Sequence, residues 1–192
     1  MSHPIPFYLP SNSAVLVGGS RALLPRSAGW VACQAFASSL ACADRIIHVG
    51  CATGADQAVI ICCPSRSLRV FAAFSASGAG AFGGSAVSVV RTHASLGGSV
   101  RWLAGGPLSV PLVARLMARS LAALAGCSAA VFFAPGVGSL KVARRALVAG
   151  IPVLVATAGI SSAPVLAVPA VLVSWFGQAF WLFAPPAQGA LF

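Results

Sequence analysis

Ile46-Ile47-His48-Val49-Gly50-Cys51-Ala52-Thr53-Gly54-Ala55-Asp56 is the stretch that decides the fold. A β-branched run ends in glycine and opens into a Gly-x-x-x-Gly-x-Asp turn, and Ala55 to Cys63 then has the composition of a helix. A buried strand that passes through a glycine turn into a helix is the repeating unit of a parallel α/β sheet. Glycines at such a junction let backbone N–H groups approach a bound anion with no Cβ in the way. Asp56 is one of only two acids in the chain, the other being Asp44. A carboxylate placed at this turn is there for chemistry or for hydrogen bonding.

The same alternation extends on both sides of the turn. Ala14–Val17 reads as a strand entering Gly18-Gly19-Ser20-Arg21, and a helix follows from about Ser27 to Cys42. Beyond the strand Arg45–Val49, further strands are expected at 69–74, Val100–Ala104, Ala129–Phe133 and Pro152–Ala156. Helices are expected near 86–95, from Pro111 to Leu124, and from Ser139 to Ala149, where Gly150 caps the last one. Six strands with intervening helices predict a Rossmann-like, doubly wound, mainly parallel sheet with helices on both faces. Residues 1–12 read as an N-terminal tail, 13–160 as the α/β domain, and 161–192 as an apolar and aromatic extension.

In open sheets of this kind ligands bind outside the carboxyl ends of the strands. Those ends carry Gly18 to Arg21, Gly50 to Asp56, Ser75 to Gly84, Gly105-Gly106, and Ala134-Pro135-Gly136-Val137-Gly138-Ser139. Glycine or serine at every exit points to a polar, phosphate-bearing ligand. The charge balance agrees: 12 Lys and Arg against 2 Asp give a net charge of +10, which attracts nucleotides, nucleic acid or acidic lipid. All but one of the cations are arginine, whose planar fork suits phosphate. A basic coat that keeps a very apolar chain in solution is the plainer reading.

Charged residues make up 7% of the chain, against roughly 25% in an average soluble domain, and mean hydropathy is +0.93. So few charges coat a monomer poorly, so a homo-oligomer is expected. The six cysteines form no CxxC pair and no zinc-like spacing with the three histidines, so no metal is expected and the chain reads as cytoplasmic, in a reducing compartment. Residues 1–13 lack the basic start and apolar core of a signal peptide.

Other motifs carry less. Gly78-Ala79-Gly80-Ala81-Phe82-Gly83 spells GxGxxG after a strand, but no acid lies some twenty residues on to hold a ribose. It reads as a ligand-covering loop or a plain connection. Arg115 and Arg119 share one helix face, either a solvated basic face or a phosphate clamp. His48 falls mid-strand, His93 has no acid nearby to orient it, and two acids leave little for paired-carboxylate catalysis.

Val15-Leu16-Val17-Gly18-Gly19-Ser20-Arg21 and Gly50-Cys51-Ala52-Thr53-Gly54-Ala55-Asp56 together resemble the Rossmann-like SLOG superfamily over roughly residues 13–156. That group contains DNA-processing protein A, the LOG-type phosphoribohydrolases, and small YspA-like and cpYpsA-like proteins, and the two turns resemble the YspA-like branch most. Met117-Ala118-Arg119-Ser120, with Phe132-Phe133-Ala134-Pro135-Gly136-Val137-Gly138-Ser139, is similar to the LOG pairing of an M-x-x-R-K helix with a P-G-G-x-G-T turn. In LOG enzymes a glutamate follows three residues after the threonine. Here that offset lands on Val142 and the chain contains no glutamate. The resemblance therefore implies binding of a nucleotide or nucleotide-derived ligand without catalysis or cofactor. Its site would be Gly18, Gly19, Ser20, Arg21, Gly50, Thr53, Gly54, Asp56, Arg119, Pro135, Gly136, Gly138 and Ser139. The alternative is an accessory protein that binds single-stranded DNA, like DNA-processing protein A; a degenerate phosphoribohydrolase is the third reading.

From Ala146 to Phe192 there is no charge. Ala163 to Ala184 is long enough to span a bilayer, but Pro164 and Pro169 and the lack of flanking basic residues favour a strand near 170–174 and a packed aromatic segment, so a membrane is not expected. Trp175, Phe176, Phe180, Trp181 and Phe183 would cap a hydrophobic face. Gln188, Leu191 and Phe192 fit the Q-x-x-L-F pattern of peptides resembling sliding-clamp ligands, in which a free tail places two apolar side chains in a pocket.

Overall fold

A computed structural model describes residues 5–9, 13–158, 162–166 and 168–185. Gln188, Leu191 and Phe192 lie outside the described residues. Six parallel strands stand where the sequence places them: β2 (Ala14–Gly19), β3 (Ile47–Val49), β4 (Leu68–Phe71), β5 (Ser99–Arg101), β6 (Cys127–Phe133) and β7 (Val153–Ala156). Three more complete a nine-stranded sheet of order β1-β8-β9-β7-β6-β2-β3-β4-β5, namely β1 (Ile5–Pro6), β8 (Ala170–Trp175) and β9 (Gln178–Phe183). Among these β9 runs antiparallel to its neighbours β7 and β8.

Alternation along each strand sends side chains to two separate cores. Val15 and Val17 of β2, with Ala129, Val131 and Phe133 of β6, pack under α1 (Ala28–Cys42), α2 (Ala55–Cys62) and α3 (Val87–Ser95). Leu16, Ala130 and Phe132 pack under α4 (Leu112–Leu124) and α5 (Val137–Val148). Covering both faces explains why the strands read as continuous apolar runs and why so little charge is needed. Ser27 starts α1 by accepting the Trp30 N–H at 3.3 Å, and Asp44 takes the left-handed conformation, φ 51°, just past its end.

The chain leaves β2 toward β3, β4 and β5, then returns to the other side of β2 to lay down β6 and β7. The order reverses between β2 and β6, and the crevice beyond their carboxyl ends is the switch point where such sheets bind ligands.

The apolar extension continues the sheet. Trp175 pairs with Gln178 across a two-residue turn, Phe176-Gly177, with φ of 48° and 73°. Positive φ at both central positions is the turn whose twist matches a β-hairpin. Trp175 and Phe180 stack edge-on to Phe36 of α1, each with ring centroids 5.1 Å apart, while Phe183 joins the opposite core. No helix among the described residues is long and apolar enough to cross a membrane. Ile5–Pro6, in the N-terminal tail, pairs with β8 at the sheet edge.

Candidate functional site

A cavity of about 630 Å³ occupies the switch point. Gly18, Gly19, Ser20 and Arg21 enter it from the end of β2, Gly50 and Asp56 from the β3–α2 turn, Arg119 from α4, and Gly136, Gly138 and Ser139 from the start of α5. These are ten of the expected site residues. Thr53, Gly54 and Pro135 are not part of its lining.

The β3–α2 turn is closed on itself. Ala52 N–H donates to Asp56 Oδ2 at 3.1 Å, Thr53 N–H to the Gly84 carbonyl at 2.7 Å, and Ala55 N–H to the Ser20 carbonyl at 3.1 Å. Amides that would cradle a phosphate are thereby used to pin the β2 exit and the loop after β4. Gly54, at φ 75° and ψ −126°, holds a conformation that L-residues avoid, and a Cβ there would run into the Ser20 carbonyl.

Asp56 meets Arg119 across the cavity floor, Nη1 to Oδ2 at 3.3 Å, with each side chain 11% exposed. Burial pushes the Asp56 carboxyl above the usual carboxylate range, while the Arg119 guanidinium and the Ala52 amide pull it back. Gly50 packs so closely on the pair that a Cβ would collide with both the guanidinium and the carboxylate. Arg119 Nε is buried with no hydrogen-bond partner.

Arg115, four residues earlier, has another task. It is buried and donates to the carbonyls of Ala73 at 2.6 Å, Gly80 at 3.2 Å and Val110 at 3.1 Å. This burial takes Arg115 out of both readings of the shared face, solvated surface and clamp, and leaves Arg119 alone at the cavity. A cation inside a helix–sheet interface is satisfied by the nearest unpaired carbonyls.

The opposite wall is the open one. Ala134, at φ 44°, turns the chain out of β6, and Gly136 caps α5 without a side-chain hydrogen bond. The first-turn amides of a helix have no intrahelical acceptor, and here that turn lines the cavity. Ser139 donates its hydroxyl to the Gly19 carbonyl at 2.9 Å, tying α5 to the end of β2. Nothing lies within 4 Å of a Cβ built on Gly136 or Gly138.

Several lining residues lay outside the expected site, although Met117, Ser120 and Phe82 fall in stretches the sequence had singled out. Val113, Leu116, Met117 and Ser120 form one stripe of α4, Lys141 stands one turn into α5, and Phe82 reaches in from the glycine-rich loop with Arg21 5.9 Å above its ring. The α4 stripe was legible as an i, i+3, i+4, i+7 pattern. Phe82 could be found as the lone aromatic in a run of small residues. His48 lies outside: its Nδ1–H donates to the Ala123 carbonyl at 2.7 Å under α4, and burial lowers its pKa. Asp44 is exposed past the end of α1, at the other end of the strands, so the two carboxylates do not meet. No group of three or more His, Cys, Asp or Glu able to hold a metal occurs among the described residues.

No family model matches the chain, and no curated protein does. The fold nevertheless has solved counterparts, and it is the Rossmann-like α/β fold of DNA processing protein A. Against the Streptococcus pneumoniae protein the TM-score is 0.61 at 21% identity, covering 78% of this chain and 52% of that one. Against the Helicobacter pylori protein, described for its single-stranded DNA binding mode, it is 0.61 at 16% identity, covering 80% and 69%. This chain thus spans about half the length of the first.

Proposed function

We propose that this chain binds single-stranded DNA as an accessory to DNA processing, with one nucleotide of the strand seated in the switch-point cavity. The observation that carries the reading is the division of that cavity. One wall is apolar, from Leu116, Met117, Phe82 and Val113, and suits the face of a base. The other is the open first turn of α5, with Lys141 and Arg21 exposed at the rim, and suits a phosphate. Nine of the twelve cations are exposed, all but Arg45, Arg115 and Arg119, which favours attraction of a polyanion. The likeness to DNA processing protein A supports the same choice.

A free nucleotide or nucleotide-derived ligand is the second reading, favoured by the cavity's volume of about 630 Å³, which lies within the usual range for small-molecule sites, roughly 300–1,000 Å³. Fluorescence anisotropy with a labelled oligothymidylate separates the two. A strand crossing several phosphate sites loses affinity steeply between about 50 and about 200 mM salt, with a slope of ~0.7 per contact. Arg21→Ala and Lys141→Ala are each expected to lower that slope by about one contact. A nucleotide monophosphate that binds while the oligonucleotide does not would overturn the DNA reading in favour of the second. Binding of neither would sink both.

A further inference from the structure

Helix α2 carries Asp56 in its first turn and ends on two neighbouring cysteines. Cys62 and Cys63 hold their Sγ atoms 3.6 Å apart where α2 packs against α1. Cys62 is half-buried and Cys63 is buried. The Cys62 sulfur lies 3.6 Å from the Gln34 carbonyl of α1 and 3.5 Å from the Val59 carbonyl of its own helix. Facing the pair from α1 are the thiols of Cys33 and Cys42, and the Ser38 hydroxyl. No part of the cavity lining reaches these sulfurs, and the proposed function does not use them.

We infer that Cys62 and Cys63 form a peroxide-reactive vicinal dithiol, with Cys62 the attacking sulfur and Cys63 the resolving one. Two thiols this close titrate as a pair. The first thiolate is held by the S–H of its neighbour and by Ser38 against the cost of burial, which lowers Cys62 below the ordinary thiol range. The second proton is harder to remove, because the Cys63 S–H is donated to Cys62, with burial and the Cys62 charge adding to the effect. The partly open sulfur is therefore also the more acidic one, the combination that makes a cysteine reactive.

The chemistry balances with hydrogen peroxide as the oxidant. The Cys62 thiolate attacks one peroxide oxygen, the O–O bond breaks, and the departing hydroxide takes a proton to become water. Cys62 is now a sulfenic acid, two electrons oxidised, and peroxide has been reduced. The charge that held back Cys63 is gone. Its sulfur attacks the Cys62 sulfur, the S–O bond breaks, and hydroxide leaves with the Cys63 proton as a second water. Two thiols and one peroxide give one disulfide and two waters. Adjacent Cα atoms are about 3.8 Å apart, closer than the usual range for a disulfide, roughly 4.4–6.8 Å. A bond closed under that constraint is readily reduced, so the modification is reversible by thiols.

The test is peroxide titration of the folded chain, read by intact mass and by peptide mapping. The expected product has lost two hydrogens, carries a link between Cys62 and Cys63, and is restored by dithiothreitol. With Cys63→Ser the reaction should stop one oxygen heavier, at a sulfenic acid trapped by dimedone; with Cys62→Ser, Cys63 should stay reduced. Iodoacetamide should label Cys62 of the unmutated chain with a rate midpoint shifted below that of free cysteine. At neutral pH that rate should exceed that of free cysteine, since greater ionisation outweighs the lower nucleophilicity of a more acidic thiol. A bridge from Cys62 to Cys33, or oxidation of exposed Cys42 ahead of Cys62, overturns the assignment. Because mapping is done on the unmutated chain, the outcome does not depend on the variants folding.

Discussion

Two glycine turns leave the strands on either side of β2 at the same end of the sheet and do opposite work. Gly50–Asp56, after β3, directs the amides of Ala52, Thr53 and Ala55 onto protein acceptors and folds its carboxylate against Arg119. Ala134–Ser139, after β6, leaves the first turn of α5 facing the cavity. Both turns have the composition of a phosphate loop. What separates them is where the acceptors are: the first turn is crowded by the β2 exit and the loop after β4, the second by almost nothing. A glycine-rich strand exit is therefore a permission for backbone to approach something, and its surroundings decide whether that something is protein or ligand.

The sharpest way to break this comparison is at the Asp56–Arg119 pair. Arg119→Ala strands a desolvated carboxylate, and the expected loss is about 3–5 kcal/mol in urea unfolding at neutral pH. Its pH dependence follows from the sign of the Asp56 shift. With a folded value raised above the unfolded one, about 3.9, the native state holds the proton more tightly, so stability falls as pH rises through the interval between them. The Arg119→Ala chain should accordingly regain part of its loss on acidification toward that lower value. A flat profile would mean that Asp56 is not desolvated.

Next in size is a matched pair of glycine replacements. Gly54→Ala forces a side chain into a left-handed conformation and against the Ser20 carbonyl, costing about 1–3 kcal/mol. Gly138→Ala meets no neighbour and sits in a helix, so stability should hold or rise by up to ~1 kcal/mol, while oligonucleotide affinity falls because the new methyl occupies the open wall. Equal damage to stability from both would erase the distinction between the turns. The smallest effect is expected at Ser139→Ala. Loss of its bond to the Gly19 carbonyl should lower stability by about 1 kcal/mol, measured as a shift in urea midpoint.

Much of the architecture was legible because burial on both faces writes strands as plain apolar runs, and all six strands of the parallel α/β unit, β2 to β7, stood out. β1 and β9 did not: β1 is two residues long, and β9 was masked by an aromatic run that reads equally as a packed segment. At the site, the glycines announced the strand exits, and the α4 stripe was present in the spacing. Arg119 was named from its motif, but that Arg115 buries while Arg119 meets Asp56 was beyond reach, since residues four apart on one helix look alike until the loop carbonyls and Asp56 come to them from elsewhere in the chain.

By itself, then, the sequence determined a parallel α/β sheet with glycine turns at the carboxyl ends of its strands, because periodicity and turn chemistry act over a few residues. Only the tertiary structure decided which turn is open and which is sealed, and which arginines face solvent or bury. Those choices depend on contacts between segments far apart in the chain, such as Asp56 with Arg119 and Ser139 with Gly19. No local pattern encodes them.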